Sequence, residues 1–373
     1  MLKYRDHSTA THFEETYSAW LSFGKRRFTS AIEFLSALRL SNSTWRRFGS
    51  SAGIPDLEWS RQWIFRGQSS AKCPLRPKAW RPDENMMPKN EALRTIWNAK
   101  WHNEEFAKEV RRKIEPYGSR ESDPLFFQEL ERTLRGLVQA FSELQLINEF
   151  TELADELGFA VETLPSWTKK DPDYDRYYEF IDKYWNLHYE DKPWDNHSGE
   201  PPPIDKRLEF WRNPTIALAQ HHGIATRLLD WTRNPLTAAF FAANSAKSSG
   251  VEDSIVVYAV HRRLLEEHIR CVEVPASGNN FLRSQSGLFT VDLNGEDYLN
   301  KYGQFPSFEQ SITLLRRNVK PYEYPRKLLL PLKQAQELMR LLTLERVTHA
   351  HLMPTLDHVA EAVNTRIVLS DEG

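Results

Sequence analysis

"QHHGIATRLLDWTRNPLTAAFFAA", residues 220–243, decides how this chain is read. Four polar side chains, His221, Arg227, Asp230 and Arg233, stand among residues that favour burial. An unpaired buried charge is costly, so the stretch predicts a structural ion pair or one wall of a polar cleft. Its local signals are clear. A helix runs from Leu208 to His221 or His222 and stops at Gly223, the usual C-terminal residue. "TRLLDW" is a short strand or turn, and Pro235 opens a small-residue helix.

Working outward, "RQWIFRGQSS" (61–70) is a buried strand reaching Gly67 and a tight turn. Residues 29–40, "TSAIEFLSALRL", form a short helix capped by Thr29 or Ser30. Pro74, Pro77, Pro82 and Pro88 make 71–88 irregular, and from about 91 to 160 the pattern is helical. There Leu130, Leu134, Leu137, Phe141 and Leu144 lie on one face of an amphipathic helix. Residues 165–203, rich in aromatics, Asp and Pro, predict a long loop or insertion boundary. "SIVVYAV" (254–260) is the clearest strand, and "FLRSQSGLFTVDL" (281–293) predicts strand, Gly turn, strand. "RKLLLPLKQAQELMRLL" (326–342) reads as strand then helix, "RVTHAHLM" (346–353) as a strand and "TLDHVAEAVNTRI" (355–367) as a last helix. The order is α+β: a mixed or antiparallel sheet core with flanking helices and an inserted all-helical subdomain. The expected division is core at 1–82, helical insertion at 83–205 and core again at 206–373.

The chain has 373 residues, 40% apolar and 27% charged, which places it among soluble globular proteins of one large or two ordinary domains. A net charge of -2 gives no bulk attraction to nucleic acid or membrane. No apolar run approaches the roughly 20 residues that cross a bilayer. The first twenty residues lack the apolar region of a secretory signal, so a cytoplasmic setting is expected. The two cysteines, Cys73 and Cys271, suit a reducing compartment and exclude an all-cysteine zinc site.

Four separated blocks resemble a known family. "FRG" at Phe65–Gly67, the stretch at 220–243, "RSQSGLF" at Arg283–Phe289 and "HLMPTLDHVAEA" at His351–Ala362 look like successive motifs of the FRG domain. That family is named for its Phe/Tyr-Arg-Gly signature and occurs in bacteria and their phages. The resemblance spans roughly residues 30–365 and does not extend to the insert. It implies a setting in defence or toxin-like systems.

The polar residues suggest a ligand site. Arg66 could grip a phosphate or carboxylate bidentately, and Gly67 lets backbone or ligand approach closely. Arg227 and Asp230 could form a structural pair, or Asp230 could orient His221 as a base. His221 matches the histidine of the family's motif. Arg283 and Gln285 lie in a turn suited to hydrogen bonding a ribose or base edge. His349, His351 and His358 lack a carboxylate cluster, so no metal is expected. The twelve tryptophans lie mostly at amphipathic positions and read as core rather than base-stacking platforms. Walker, GxSxG, HExxH and kinase signatures are absent.

Such an Arg-rich set suits an anionic ligand, a nucleotide or nucleotide-bearing substrate, rather than a metal or membrane. Three functions follow. The first is a nucleotide-acting enzyme, an ADP-ribosyltransferase-like toxin or anti-phage defence effector, with NAD as substrate. It requires a carboxylate to stabilise the ribosyl cation, for which Glu345 is the candidate by position. The second is a metal-independent nuclease using His221 and Asp230 with Arg66 on phosphate. The third is a non-catalytic nucleotide or phage sensor, with a macromolecular target or regulatory protein as partner.

Overall fold

The computed structural model describes residues 24–42, 45, 57–114, 124–168, 177–188, 204–246, 253–265, 268–274, 280–314 and 324–371. The start of the chain, read for a secretory signal, lies outside the described residues, as do 189–203 of the expected loop.

Seven strands form one sheet: β1 (Gly24–Arg27), β2 (Trp63–Gln68), β3 (Leu229–Thr232), β4 (Ser254–His261), β5 (Ile269–Val272), β6 (Gly287–Asp292) and β7 (Arg326–Pro331). Their order is β1-β7-β4-β2-β3-β6-β5. Only β1 and β7 run parallel; the other pairs are antiparallel, so the sheet is mixed and the fold is α+β. Two strands escape the sequence reading. β1, "GKRR", is fully exposed, and its charges suit an edge that must not recruit another strand. β5 is four residues long, too short for alternation to register.

The helices are α1 (Ala31–Leu38), α2 (Leu57–Ser60), α3 (Glu91–Trp101), α4 (Glu104–Ile114), α5 (Pro124–Glu156), α6 (Tyr177–His188), α7 (Ile204–Trp211) and α8 (Pro214–His221). They continue with α9 (Pro235–Asn244), α10 (Asn280–Ser284), α11 (Gly295–Tyr302), α12 (Phe308–Thr313), α13 (Ala335–Leu344), α14 (His349–Leu352) and α15 (Leu356–Asp371). Ser30 caps α1 by accepting from the Glu33 N–H, and Asn213 and Asn234 cap α8 and α9 just ahead of a first-turn proline. Gly223, at φ +94°, ends the α8 segment in a conformation that costs glycine little.

Four expectations about the elements need correction. The helix expected from Leu208 to His221 or His222 is two, α7 and α8, parted at Asn213, whose side chain caps α8 ahead of Pro214. Within 165–203 the structure has a helix, α6, because Tyr177, Phe180, Ile181, Tyr184 and Trp185 recur at helical spacing and are buried. "FLRSQSG" is not a strand: α10 occupies its first residues, and only Gly287 onward pairs in the sheet. "RVTHAHLM" is a turn and the short helix α14, so His349 and His351 do not alternate on a strand face.

Strand alternation sorts the core. Trp63 and Phe65 of β2, with Ile255, Val257 and Ala259 of β4, pack under α1, α9 and α13. Ile64 of β2, with Val256, Tyr258 and Val260 of β4, packs on the other face with Trp231 and Phe308. α3–α8 lie between β2 and β3 in the chain and share a core with β6: Phe106, Phe141, Phe180 and Tyr184 pack in one cluster with Phe289 and Val291. Burying hydrophobes of this size stabilises by about 1.5–3 kcal/mol per side chain.

Candidate functional site

The site sits where the sheet splits. β2 pairs with β4 along its whole length, Trp63 to Gln68, but with β3 through Phe65↔Thr232 alone. Beyond that pair the two strands part. Arg66 spans the gap, its Nη1 donating to the Asp230 carbonyl at 2.7 Å and to Asp230 Oδ2 at 3.2 Å. A side chain thus satisfies a carbonyl that no β2 backbone group reaches.

Asp230 is itself held. Its Oδ1 accepts from Gln220 Nε2 at 2.7 Å, and the Gln220 Oε1 in turn accepts from Thr226 Oγ1. The relay Thr226–Gln220–Asp230–Arg66 therefore ties the end of α8 to β3 and β2. Thr226 is buried and Gln220 partly so, while the Asp230 side chain is 56% exposed and Arg66 16%. Arg66 Nε is buried without a hydrogen-bond partner and Nη2 makes no hydrogen bond among the described residues.

Arg81 comes from the proline-rich stretch after β2, which is tied to the relay where the Ala79 N–H donates to the Thr226 carbonyl at 3.2 Å. Burial holds its pKa below the ordinary value, the Arg66 charge adds to that effect, and Asp230 opposes it. It makes no ion pair among the described residues. His221, the last residue of α8, is half-buried with its ring 5.1 Å from that of Phe281. Desolvation lowers its pKa below 6.5, His222 lowers it further, and Asp230 pulls it back. The imidazole is therefore neutral at neutral pH and can accept a proton.

Gly67 belongs to the scaffold. It faces α9, where a Cβ would come within 1.8 Å of the Ala238 carbonyl oxygen. β2 continues past it to Gln68, and the expected turn comes later, at Ala71 and Lys72. Glycine is required because α9 lies directly on the strand.

Arg227 lies elsewhere. It does not pair with Asp230; its guanidinium is 1% exposed and makes ion pairs with Glu143 Oε2 (2.9 Å) and Glu296 Oε1 (2.6 Å). Tyr184 Oη lies 3.1 Å from Nη1, and the guanidinium stacks 4.2 Å over the Trp211 ring. A group closed in by two carboxylates and an indole ties α5, α6 and α11 to the residues before β3; it does not face a ligand. Arg233 pairs with Glu273 at 2.8 Å.

Glu345 follows α13 and pairs with Arg39 at the end of α1. No contact links it to Arg66, His221 or Asp230 among the described residues. Gln285 donates to the Leu352 carbonyl at 3.3 Å, so its amide docks α14 rather than joining the relay. Arg283 is exposed on α10. Of the histidines downstream, His349 contacts Glu361 at 3.0 Å and Asn244 at 3.2 Å and stacks on His358. These residues fasten α15 to α14 and α9. Among the described residues no three His, Cys, Asp or Glu side chains are grouped to hold a metal.

Three members of the site, Gln220, Thr226 and Arg81, escaped the sequence reading. Gln220 stood at the head of the quoted stretch, but a lone amide at a helix end carries no signal of its own. Arg81 lies in irregular chain, where no periodicity assigns a face.

Residues 166–250 match the family model of the FRG domain. The match covers α6–α8, β3 and α9, including Gln220, His221 and Asp230, while Arg66, Arg283 and the residues after His351 lie outside it. It begins within 83–205, the segment to which no resemblance was carried. No described helix is long and apolar enough to cross a membrane. Comparisons with curated proteins and with solved structures give no match. The match identifies an FRG domain within residues 166–250.

Proposed function

We propose that the chain binds the phosphate of a nucleotide or nucleotide-bearing substrate at Arg66 and acts on it with His221 as general base. One observation carries the reading: Arg66 is held by Asp230 through one nitrogen only, within a relay anchored by Gln220 and Thr226. Its Nη2 keeps its hydrogens for a ligand, and a guanidinium suits phosphate geometry. A held cation costs little to reorganise when an anion arrives.

His221 adds a base whose pKa feels the Asp230 charge. The ribosyl-transfer form of the reading needs a carboxylate at the bond that breaks. Glu345 is engaged by Arg39, whereas Asp230 is half-exposed and already beside Arg66. Asp230 is thus the carboxylate that the proposal uses. A toxin or defence setting enters through the family resemblance alone.

The test incubates purified protein, Arg66→Gln and His221→Asn with labelled NAD, with RNA and with buffer. Turnover of NAD that both variants lose supports transfer, and RNA cleavage with the same dependence supports a nuclease. Nucleotide binding that needs Arg66 without turnover supports a sensor. If nucleotides bind Arg66→Gln as tightly as the unaltered protein, the proposal is wrong.

A further inference from the structure

Arg81 has a second neighbourhood. It lines an open depression between the proline-rich stretch, α5 and the end of α11, together with Arg76 and Arg135. No carboxylate lines this depression among the described residues, in a chain whose formal net charge is -2. Among the described residues Arg76 and Arg81 make no ion pair, although Glu309 acts on the first and Asp230 on the second from outside the depression. Arg135 pairs with Glu131 at 3.8 Å. Three arginines with no carboxylate on the same wall give this space a cationic lining that suits an anion.

Their other bonds leave donors over. Arg76 gives Nη2 to Gln304 Oε1 at 3.3 Å, and its Nε is buried without a hydrogen-bond partner. Arg81 gives Nε to the Arg76 carbonyl at 3.1 Å. Burial lowers the pKa of both, as expected of cations held out of water. The remaining wall is apolar: Phe305, half-buried, stacks over the buried Trp80 at 4.8 Å with 15° between their planes. Met86 closes the rim from a loop whose Asp83 accepts the backbone N–H groups of Asn85 and Met87.

We propose that the depression lined by Arg76, Arg81 and Arg135 is a second phosphate subsite, joined to the Arg66 site through Arg81, so that the ligand is a small nucleotide bearing two separate phosphate groups. The half-buried Phe305 ring would receive its planar base. The two-phosphate assignment rests on the Arg66 reading; the cationic depression stands by itself.

The probes are adenosine, AMP, adenosine 3′,5′-bisphosphate and a single-stranded oligoribonucleotide, titrated calorimetrically into the full chain. The bisphosphate should bind at least about tenfold tighter than AMP, the increment of one charge-assisted contact, and adenosine should not bind. Arg135→Gln, on the surface of α5, should erase that increment, and Arg76→Gln should do the same; melting curves check that both variants fold. Arg66→Gln should weaken AMP and bisphosphate alike. If Arg135→Gln and Arg76→Gln both bind the bisphosphate as the unaltered chain does while Arg66→Gln does not, the subsite is refuted and the Arg66 reading survives. If only the Arg66→Gln variant binds normally, the Arg66 reading fails and the depression stands. An oligoribonucleotide that binds in an Arg135-dependent way, with the bisphosphate silent, overturns the small-nucleotide assignment.

Discussion

Replacing Arg227 by Met should unfold the connection between the helices and the sheet rather than disable a ligand site. The guanidinium is 1% exposed, Glu143 is buried completely and the Glu296 side chain is 3% exposed. Removing the cation leaves two carboxylates facing each other out of water, and breaking a buried pair in this way costs about 3–5 kcal/mol. At about 2 °C per kcal/mol for a chain of this size, the melting temperature should fall by roughly 6–10 °C. Neutralising the carboxylates as well, in Arg227→Met/Glu143→Gln/Glu296→Gln, should recover much of that loss, because no unpaired charge remains. The pH dependence has a definite sign. Burial raises the Glu143 pKa above its ordinary 4.5, Arg227 opposes this, and Glu296 adds to it. A carboxyl raised on folding stabilises fully below its unfolded pKa, and that stability is lost as pH rises through the folded value. Glu143→Gln should therefore gain on the unaltered protein as pH rises. Thermal melting by circular dichroism across pH measures all of this. An Arg227→Met protein that melts within 1 °C of the parent, yet no longer binds nucleotide, would refute the scaffold role.

Asp230→Asn should behave oppositely, because its side chain is 56% exposed and exposed pairs contribute about 0–1 kcal/mol. Melting should hardly change, while calorimetry should register weaker nucleotide binding as Arg66 loses its anchor. Gly67→Ala should cost about 3 kcal/mol or more in urea denaturation, since the added methyl meets the Ala238 carbonyl oxygen. Any reaction that uses His221 as base should hold its rate down to a pH below 6.5 and then fall, following the lowered pKa. His221→Asn should remove that limb from the pH–rate profile. His349 also has a lowered pKa, so its contribution to stability is present above 6.5 and lost as pH falls through its folded value. His349→Gln should flatten that part of a stability–pH curve.

Most of the architecture was legible because it follows from local rules. The strands at 63–68, 254–261 and 326–331 and the helices opened by Ser30 and Pro235 carry β-branched, aromatic or leucine runs, a cap or a first-turn proline. The failures share a physical cause. "FLRSQSG" and "RVTHAHLM" are short apolar–polar runs whose spacing suits strand and helix equally, and tertiary contacts decide between them. In α10 the Ser284 hydroxyl and Gln285 amide take the Leu352 carbonyl, a partner 68 and 67 residues away. Partners at that range cannot be read from spacing. Arg227 was ambiguous for the same reason: Glu143 lies 84 residues before it and Glu296 69 after it.

The tripeptide Phe65-Arg66-Gly67 illustrates how far local reading can reach. Alternation along β2 sends Phe65 and Gly67 to the α9 side and Arg66 to the other. Phe65 fills the core, and Gly67 lets the α9 backbone close onto the strand. Arg66 is left to bridge the split between β2 and β3. The signature therefore combines two packing residues with one cation. Substitutions at its outer positions should register first in stability, and a charge-removing change at the middle one first in binding. If Arg66→Gln melted as far below the parent as Gly67→Ala, the cation would be scaffold too, and the site would have to be sought around Arg76, Arg81 and Arg135.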